Sequence, residues 1–532
     1  MSHAITNRCI RCNDCLPQCP TGAIKVEGED YWIDPGLCDD CREHPEPQCL
    51  TLCPVGSPVP LQAKKGRCKV VHRPLTTPYL FADGKSNPFA SAIVIWELCN
   101  ILTQRQSLPW ESDAAGQLQY HRIVNHGLGA ITFHLTDSAT SLVRLDRAAG
   151  LDALAAFDVR AASLHLICAA YVTTLECPWE QEFILDDRQL ELYLGLDKRK
   201  DLSKFAKLSL MREWINQICR VTAEIHWSQQ GRVKGFSLAS DRLWHLVKVE
   251  HHFQEDELGC KHLTGLTFRM RAGGWAEYFL NQQACKQRTA FYQYGILPKS
   301  LLAAVMSSWQ QHEGAIRMML WLLFKTKMGR EQRLTVPTLM RVAYGDDKLQ
   351  QASTKTEERK RLMRTFENDL AVLHQYGLKP RFDPVTYPTE IQPLWVKLAE
   401  VPDDAEAALE FWMQDGSSNH RLTDAAPRGK WNRLMNARIL SFELPMDWQQ
   451  RSQKSDKASR SSQRRMRQKP ASTLSAQQIL EARRRLQISQ RELAKLTGKS
   501  QSWIRDVESG RFQVKWEDQL KLRKVLDMGD GG

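Results

Sequence analysis

Cysteines are concentrated at the start of this 532-residue chain, where nine of the fifteen lie before residue 70. No apolar signal core precedes Cys9, and no stretch reaches the 18 or more apolar residues of a membrane span. We therefore expect a cytoplasmic protein, in which thiols stay reduced and disulfides are rare. Clustered thiols in such a chain indicate metal or redox chemistry.

Eight of these cysteines form two runs that both end in Cys-Pro. The spacings are C-x2-C-x2-C-x3-C-P and C-x2-C-x7-C-x3-C-P. This pattern resembles the bacterial two-cluster ferredoxins, with a longer gap before the third cysteine of the second run. A zinc ribbon needs only two C-x2-C pairs and no further Cys-Pro. The runs are Cys9, Cys12, Cys15 and Cys19, then Cys38, Cys41, Cys49 and Cys53.

The resemblance implies two [4Fe–4S] clusters, because three thiolates of each run hold one cubane and the fourth reaches the other. Cys68 lies outside both motifs and is interpreted as a spare thiol. The implied ligand sets are Cys9, Cys12, Cys15 and Cys53 for one cluster, and Cys38, Cys41, Cys49 and Cys19 for the other.

Residues 474–528 predict a set of short helices. Ser475, Ser489 and Ser500 are placed as N-caps, Gly498 as a left-handed turn residue, and Gly510 as a stop. The motif S-Q-x2-L-A-x3-G-x-S-Q-x2-I-x2-V-E-x-G, starting at residue 489, resembles the lambda-repressor-like helix-turn-helix family. Thr497 and Lys499 depart from it, since the family usually has apolar residues there, which predicts a looser turn core.

The third helix of this tail is expected to enter the major groove of DNA by its N-terminal end. Ile504 and Val507 would face inward, which turns the side chains between them outward. Amide and guanidinium groups can pair with adenine and guanine edges, and the first residue of the second helix fits a phosphate contact. The predicted DNA-contacting residues are Gln490, Gln501, Ser502, Arg505 and Asp506.

The net charge of +12 is concentrated in the last part of the chain. Residues 451–532 carry 20 Lys and Arg against 9 Asp and Glu, whereas residues 1–68 carry 7 against 9. This asymmetry favours a polyanion at the C-terminal end, with nucleic acid preferred over membrane. The basic linker 446–473 either neutralises phosphates or is a soluble spacer, and the sequence leaves both open.

The central region predicts mixed α/β structure over 80–300 and a mainly helical part over 301–445. In the latter, helix, short helix, helix and two extended stretches, Arg381-Phe382 and Ile391–Trp395, follow in the order of a winged helix. A general helical packing unit is the alternative. Gly127-Leu128-Gly129 lacks the rest of a dinucleotide fingerprint, and no nucleophile–base pair is visible, so we predict no enzyme.

These parts predict a multidomain α+β protein. It consists of a bacterial-type ferredoxin head, a mixed α/β central region with a possible winged helix, and an all-α helix-turn-helix tail. The predicted domains are residues 1–70, 80–300, 301–445, the linker 446–473, and 474–532.

A two-cluster head joined to such a tail is similar to the cyanobacterial PatB/CnfR-type regulators. That resemblance implies an activator of nitrogen-fixation genes at low oxygen, whose intact clusters hold the active state. Its expected partners are promoter double-stranded DNA, RNA polymerase, a second copy in a homodimer and an electron-transfer partner, with no membrane. The alternatives are a ferredoxin-fed oxidoreductase and a DNA-processing protein with a DNA-binding tail.

Overall fold

A computed structural model shows two compact units, Met1–Gln450 and Arg451–Gly532. No helix among the described residues is long and apolar enough to cross a bilayer. Cys68 and almost all of the basic linker 446–473 lie outside the described residues. The structure describes residues 3–27, 30–34, 37–60, 73–82, 84–124, 127–231, 233–255, 261–325, 334–399, 401–417, 428–448, 474–511, 514 and 516–526.

The head, residues 1–60 here, is built from two antiparallel strand pairs. Strand β1 pairs with β4, which brings the two ends of the head together, and β2 pairs with β3 as a hairpin between the cysteine runs. One helical turn, α1, carries the third cysteine of the second run. The elements are β1 His3–Ile5, β2 Ile24–Glu27, β3 Asp30–Ile33, α1 Gln48–Thr51 and β4 Pro58–Pro60.

The central region contains an antiparallel five-stranded sheet in the order β11-β10-β8-β7-β6 and a three-stranded sheet in the order β12-β13-β9. Strands β14 and β5 form a separate pair. The strands are β5 Ser86–Ala90, β6 Trp110–Ser112, β7 Leu118–Val124, β8 Gly129–Leu135, β9 Phe183–Asp186, β10 Val221–Trp227, β11 Phe236–Arg242, β12 Trp244–Glu255, β13 Lys261–Ala272 and β14 Tyr294–Pro298. The helices are α2 Ile93–Gln104, α3 Arg147–Ala155, α4 Ala161–Tyr171, α5 Asp187–Leu194, α6 Lys204–Cys219, α7 Trp275–Phe279 and α8 Gln282–Lys286.

Helix α4 lies at the centre of this region, and all of its residues are buried. Its one imidazole, His165, is fully paired: Trp244 Nε1 donates to Nδ1 at 2.9 Å, and Nε2 lies 2.9 Å from the Ile95 carbonyl oxygen. Burial lowers the pKa of His165 to about 4, so it stays neutral. This histidine is therefore a structural core residue.

Residues from 299 to 448 form a helical cluster closed by a small sheet in the order β15-β17-β16. Helix α10 packs against α11 and α13, and β16 pairs antiparallel with β17. The elements are α9 Lys299–Ser308, α10 Glu313–Lys325, β15 Leu334–Thr335, α11 Val336–Tyr344, α12 Asp346–Thr354, α13 Thr356–Gln375, β16 Lys379–Phe382, α14 Leu394–Leu398, α15 Ala405–Ser417, α16 Lys430–Asn436 and β17 Arg438–Glu443. Short 3-10 turns lie at Arg105–Ser107, Val172–Thr174, Leu196–Lys198, Thr389–Ile391 and Met446–Trp448.

One predicted strand in this part is wrong. The stretch Ile391–Trp395 is not extended, because a 3-10 turn ends at Ile391 and helix α14 begins at Leu394, directly after Pro393. Proline suits a helix start, since it has no backbone N–H to lose there. The extended partner of β16 comes instead from Arg438–Glu443, more than fifty residues along the chain.

The head packs on the central region through an aromatic contact. Trp32 of β3 is 3% exposed, and its ring centroid lies 5.2 Å from that of His251 and 5.4 Å from that of Phe253, both on β12. Asp34 Oδ2 lies 3.5 Å from Arg212 Nη1 on α6. The hairpin of β12 and β13 therefore carries one side of the head.

The tail has its own small core, made by four helices. Ser475, Ser489 and Ser500 accept backbone N–H bonds at the starts of the first three, and Gly498 has a φ of 68°. These caps and this turn are the ones predicted from the sequence. The helices are α17 Ala476–Arg485, α18 Gln490–Thr497, α19 Gln501–Glu508 and α20 Trp516–Val525.

Candidate metal centre and nucleic-acid interface

The first predicted thiol set lines one cavity of the head. Besides the thiols, this cavity is lined mainly by apolar residues from both ends of the head, such as Ile5 and Val55. The fourth thiol comes from the second run, which reaches the cavity because β1 and β4 pair. The cysteines that line it are Cys9, Cys12, Cys15 and Cys53.

The second predicted thiol set lines a second cavity. Ile24 and Ile33, from the β2–β3 hairpin, contribute apolar wall, and Asp39 and Asp40 contribute polar wall. The two thiol sets thus fall in separate cavities, with one cysteine exchanged between the runs. The cysteines here are Cys19, Cys38, Cys41 and Cys49.

The two Cys-Pro turns repeat the same local structure. Cys19 Sγ accepts the Ala23 backbone N–H at 3.2 Å, and Cys53 Sγ accepts the Ser57 backbone N–H at the same distance. Gly22 and Gly56 make these turns possible, with φ values of 59° and 57°. Backbone N–H donors stabilise a thiolate, and they are a means by which proteins tune iron–sulfur clusters.

Burial controls the charge of several of these thiols. It raises the pKa of Cys15, and the neighbouring Cys9 and Cys53 thiols raise it further. Burial, followed by the nearby Cys41, raises the pKa of Cys49 to about 12. Thiols with raised pKa values hold their protons until a metal displaces them, so cluster assembly at these cysteines releases protons.

The donor chemistry fits iron–sulfur clusters. Soft thiolates are the preferred ligands of such clusters, and four converge on each cavity. Within the described ranges, no group of three or more His, Cys, Asp or Glu side chains converges closely enough to hold a single metal ion.

Ferredoxin relatives match about a tenth of this chain. Ferredoxin-2 of Chlorobaculum tepidum is 45% identical over 56 residues, which are 10% of this chain and 90% of that protein. The ferredoxin-like protein in the vnf region of Azotobacter chroococcum mcd 1 is 49% identical over 47 residues, 9% of this chain and 72% of that protein. Through its head, the chain belongs to the ferredoxin family.

The ferredoxin head also matches longer proteins over only part of their length. The ferredoxin-like protein in the nif region of Trichormus variabilis is 49% identical over 57 residues, which are 10% of this chain. The match spans about half of that relative, 49% of its length. Iron–sulfur binding is therefore a property of the ferredoxin head, and the rest of the chain requires its own evidence.

A solved structure, that of domains 2 and 3 of RctB, aligns with 53% of this chain and 87% of its own at 12% identity. The TM-score is 0.28, so no shared fold follows from the alignment.

In the tail, the start of α19 presents three of the predicted DNA-contacting residues to solvent. Gln501, Ser502 and Arg505 are exposed, while Ile504 and Val507 are buried in the tail core. Residues 476–531 match the helix-turn-helix domain family, so the tail is a DNA-binding domain. Its exposed amide and guanidinium groups lie on the helix that the motif assigns to the major groove.

The other two predicted DNA-contacting residues are engaged within the tail. Asp506 Oδ1 accepts a bond from Arg511 Nη1 at 3.0 Å and lies 3.7 Å from Arg505 Nε. Gln490 Nε2 donates to Glu508 Oε2 at 2.7 Å. Asp506 therefore orients arginines, and the Gln490 amide has a second hydrogen that this bond does not use.

The two residues that depart from the repressor motif make polar contacts within the tail. Thr497 is buried, and its hydroxyl donates to the Leu493 carbonyl oxygen at 2.7 Å. Lys499 Nζ lies 2.8 Å from Asp518 Oδ1 and 5.1 Å from the ring centroid of Trp503. A hydroxyl and an ion pair thus stand where the family usually has apolar contacts, and the looser turn core stays a prediction.

A buried ion pair joins the first three tail helices. Glu508 accepts bonds from Arg483, at 2.5 Å from Nε and 3.0 Å from Nη2, as well as from Gln490. The Glu508 side chain is 4% exposed and that of Arg483 is 13% exposed. The Glu508 bond raises the pKa of Arg483, which keeps the pair charged.

Replacing Glu508 by Ala is expected to lower the free energy of unfolding of fragment 474–532 by about 3 kcal/mol, because Arg483 would stay buried without its carboxylate. Urea unfolding followed by circular dichroism measures this. Glu481→Ala, which removes an exposed carboxylate of the same tail, should change the value by less than about 0.5 kcal/mol. Equal losses in both variants would contradict the assigned role of the pair.

Proposed function

We propose that this chain is an iron–sulfur transcription regulator of the PatB/CnfR type, which binds promoter DNA through its tail and activates nitrogen-fixation genes at low oxygen. The observation that carries the proposal is one chain that joins two cysteine-lined cavities to a helix-turn-helix domain. The curated relatives of the head include proteins named for nif and vnf regions, which supports the same biological setting.

In this proposal, Cys9, Cys12, Cys15 and Cys53 hold one [4Fe–4S] cluster, and Cys19, Cys38, Cys41 and Cys49 hold the other. The bound clusters supply oxygen-sensitive iron to the head. Metal binding contributes much of the folding energy of so small a domain, so cluster loss loosens the head. The contact between Trp32 and the β12–β13 hairpin then changes, and through this contact the loss of a cluster alters the central region.

The tail reads the promoter in the same proposal, with Gln501 and Arg505 at base edges and Ser502 and Gln490 at the backbone. RNA polymerase is the expected downstream partner. A homodimer fits a two-fold promoter site. A DNA-binding regulator rather than an enzyme is the function that the helix-turn-helix domain favours.

Anaerobic protein and air-exposed protein should differ in promoter binding. We expect the anaerobic full chain, with its iron and sulfide counted, to bind a nitrogen-fixation promoter fragment at least tenfold more tightly than the same protein after air. Fragment 446–532, which lacks the ferredoxin head, is the control and should bind equally well before and after air.

Two results would contradict the proposal. If the air-exposed chain loses its iron and yet binds and activates equally, oxygen sensing is excluded. If the anaerobic chain turns over a substrate with a reductant and ignores promoter DNA, the oxidoreductase alternative replaces it.

A further inference from the structure

The last part of the first unit, from α10 to β17, has an order of helices and strands that is found in DNA-binding domains. Helices α10, α11 and α13 pack together, and strand β16, which follows α13, pairs with β17. The short strand β15, which precedes α11, pairs with β17 on the side away from β16. The strand order β15-β17-β16 matches that of a winged helix, with α12 inserted before α13 and helices α14 to α16 inserted between β16 and β17. Helix α13, which directly precedes β16, holds the place of the helix that enters a groove.

Helix α13 is held firmly by polar contacts on its inner side. The Asp369 carboxylate is 1% exposed and accepts the Tyr344 hydroxyl at 2.6 Å, while His312 Nδ1 lies 3.2 Å from it. Lys430, which is 4% exposed, lies 2.5 Å from Glu367. These contacts attach α13 to its neighbouring segments, so the orientation of its outer face is fixed.

The outer face of α13 is basic and polar. The buried apolar residues of α13 recur at spacings of three and four, so the opposite side of the helix faces solvent. They are Leu362, Phe366, Leu370 and Leu373. The exposed residues on that side include Lys360, Arg361, Arg364 and Asn368.

Two of these cations are available for a polyanion. Lys360 is paired with Glu357 at 2.9 Å, but no described carboxylate lies within 4.0 Å of Arg361 or Arg364. Arg381, on the strand β16 that follows α13, is also exposed. Unpaired arginines on a rigid helix match the charge and geometry of phosphates and guanine edges.

The dimensions also fit duplex DNA. From Lys360 to Asn368 the helix rises about 12 Å, at 1.5 Å per residue, which equals the width of the major groove. We propose that the outer face of α13 is a second double-stranded-DNA-binding surface. In it Arg361 and Arg364 contact guanine edges or phosphates, Asn368 contacts an adenine edge, and the β16–β17 strand pair contacts the flanking backbone.

This surface is independent of the tail, and it predicts a long recognition sequence with two blocks. The test uses the full chain, purified anaerobically, and selection from a pool of duplexes with a randomised 40-bp core. We expect two blocks of constrained bases. Arg361→Gln combined with Arg364→Gln should erase one block and weaken binding about ten- to a hundredfold.

The matched control removes two exposed lysines elsewhere in the same unit. Lys198→Gln combined with Lys200→Gln should keep both blocks, because these residues lie between α5 and α6, outside the segment from α10 to β17. Asn368→Ala, which changes no charge, should relax a single base position. Thermal unfolding of each variant shows that the fold is retained. If the arginine pair behaves like the lysine pair and Asn368→Ala changes no position, the proposal is wrong.

The tail variant Gln501→Ala separates this inference from the proposed function. If Gln501→Ala weakens the base preference in one block and the double arginine variant keeps the base preference in both blocks, the tail recognises DNA and α13 does not. If the arginine variant erases a block while Gln501→Ala changes nothing, α13 reads DNA and the proposed role of the tail residue fails. A full chain that selects no sequence overturns both.

Discussion

Replacing Cys15 or Cys49 by serine is expected to remove about half of the iron from the anaerobic protein. Two four-iron clusters give about eight irons per chain, and each substitution removes a thiolate from only one of the two cavities. Each variant should retain about four irons, and the double variant should retain almost none. Iron and sulfide counting together with the visible absorption spectrum measures the loss.

Cys177→Ser is the matched control for these substitutions, because Cys177 is a partly buried free thiol outside the head. It should retain all of the iron. Stoichiometric zinc in place of iron, or no iron loss in either head variant, would refute the ligand assignment.

Within the tail, base reading and phosphate contact should respond differently to substitution. Gln501→Ala in fragment 446–532 should relax the preference at one base position per half-site, with a loss of about 1–3 kcal/mol there, since a glutamine amide can make two hydrogen bonds to adenine. Neutralising Arg464, Arg465 and Arg467 of the linker should instead weaken all sequences alike. The salt slope should become flatter by up to about three units.

Quantitative binding to randomised sites at several salt concentrations measures both effects. Lys495→Gln, an exposed cation of α18 outside the predicted contact set, is a suitable control. If Gln501→Ala weakens every sequence equally, Gln501 reads no base and the placement of α19 in the groove is wrong.

Local chemistry explains what could be predicted from the sequence. Cysteine spacing is set by the short loops that wrap a metal cluster, and the predicted thiol sets do line two cavities. Serine caps and Gly498 are equally local, since each acts on backbone groups a few residues away. The local structure of both ends of the chain could therefore be predicted without knowledge of the packing between distant segments.

Contacts between distant residues explain what could not be predicted. Asp506 lies on the outer side of α19 by periodicity, but Arg511 engages it. Strands β16 and β17 are more than fifty residues apart in the sequence, and periodicity alone does not indicate that they pair. The nearer stretch Ile391–Trp395 was predicted to be extended and is not. The contact of Trp32 with His251 has no sequence signal either, because an aromatic residue in a short strand fits an isolated hairpin equally well.

The unequal cysteine runs make the two halves of the head differ in solvent access. Cys12 is exposed, whereas Cys41, at the equivalent place in the longer run, is 8% exposed. In the proposed two-cluster protein, a dissolved oxidant would therefore reach the first cavity sooner than the second. Damage would proceed in order, with one cluster lost at low oxygen and the other at higher oxygen. The proposed regulator would then respond at two oxygen concentrations, with a one-cluster form between them, so that its output would be graded rather than all-or-none.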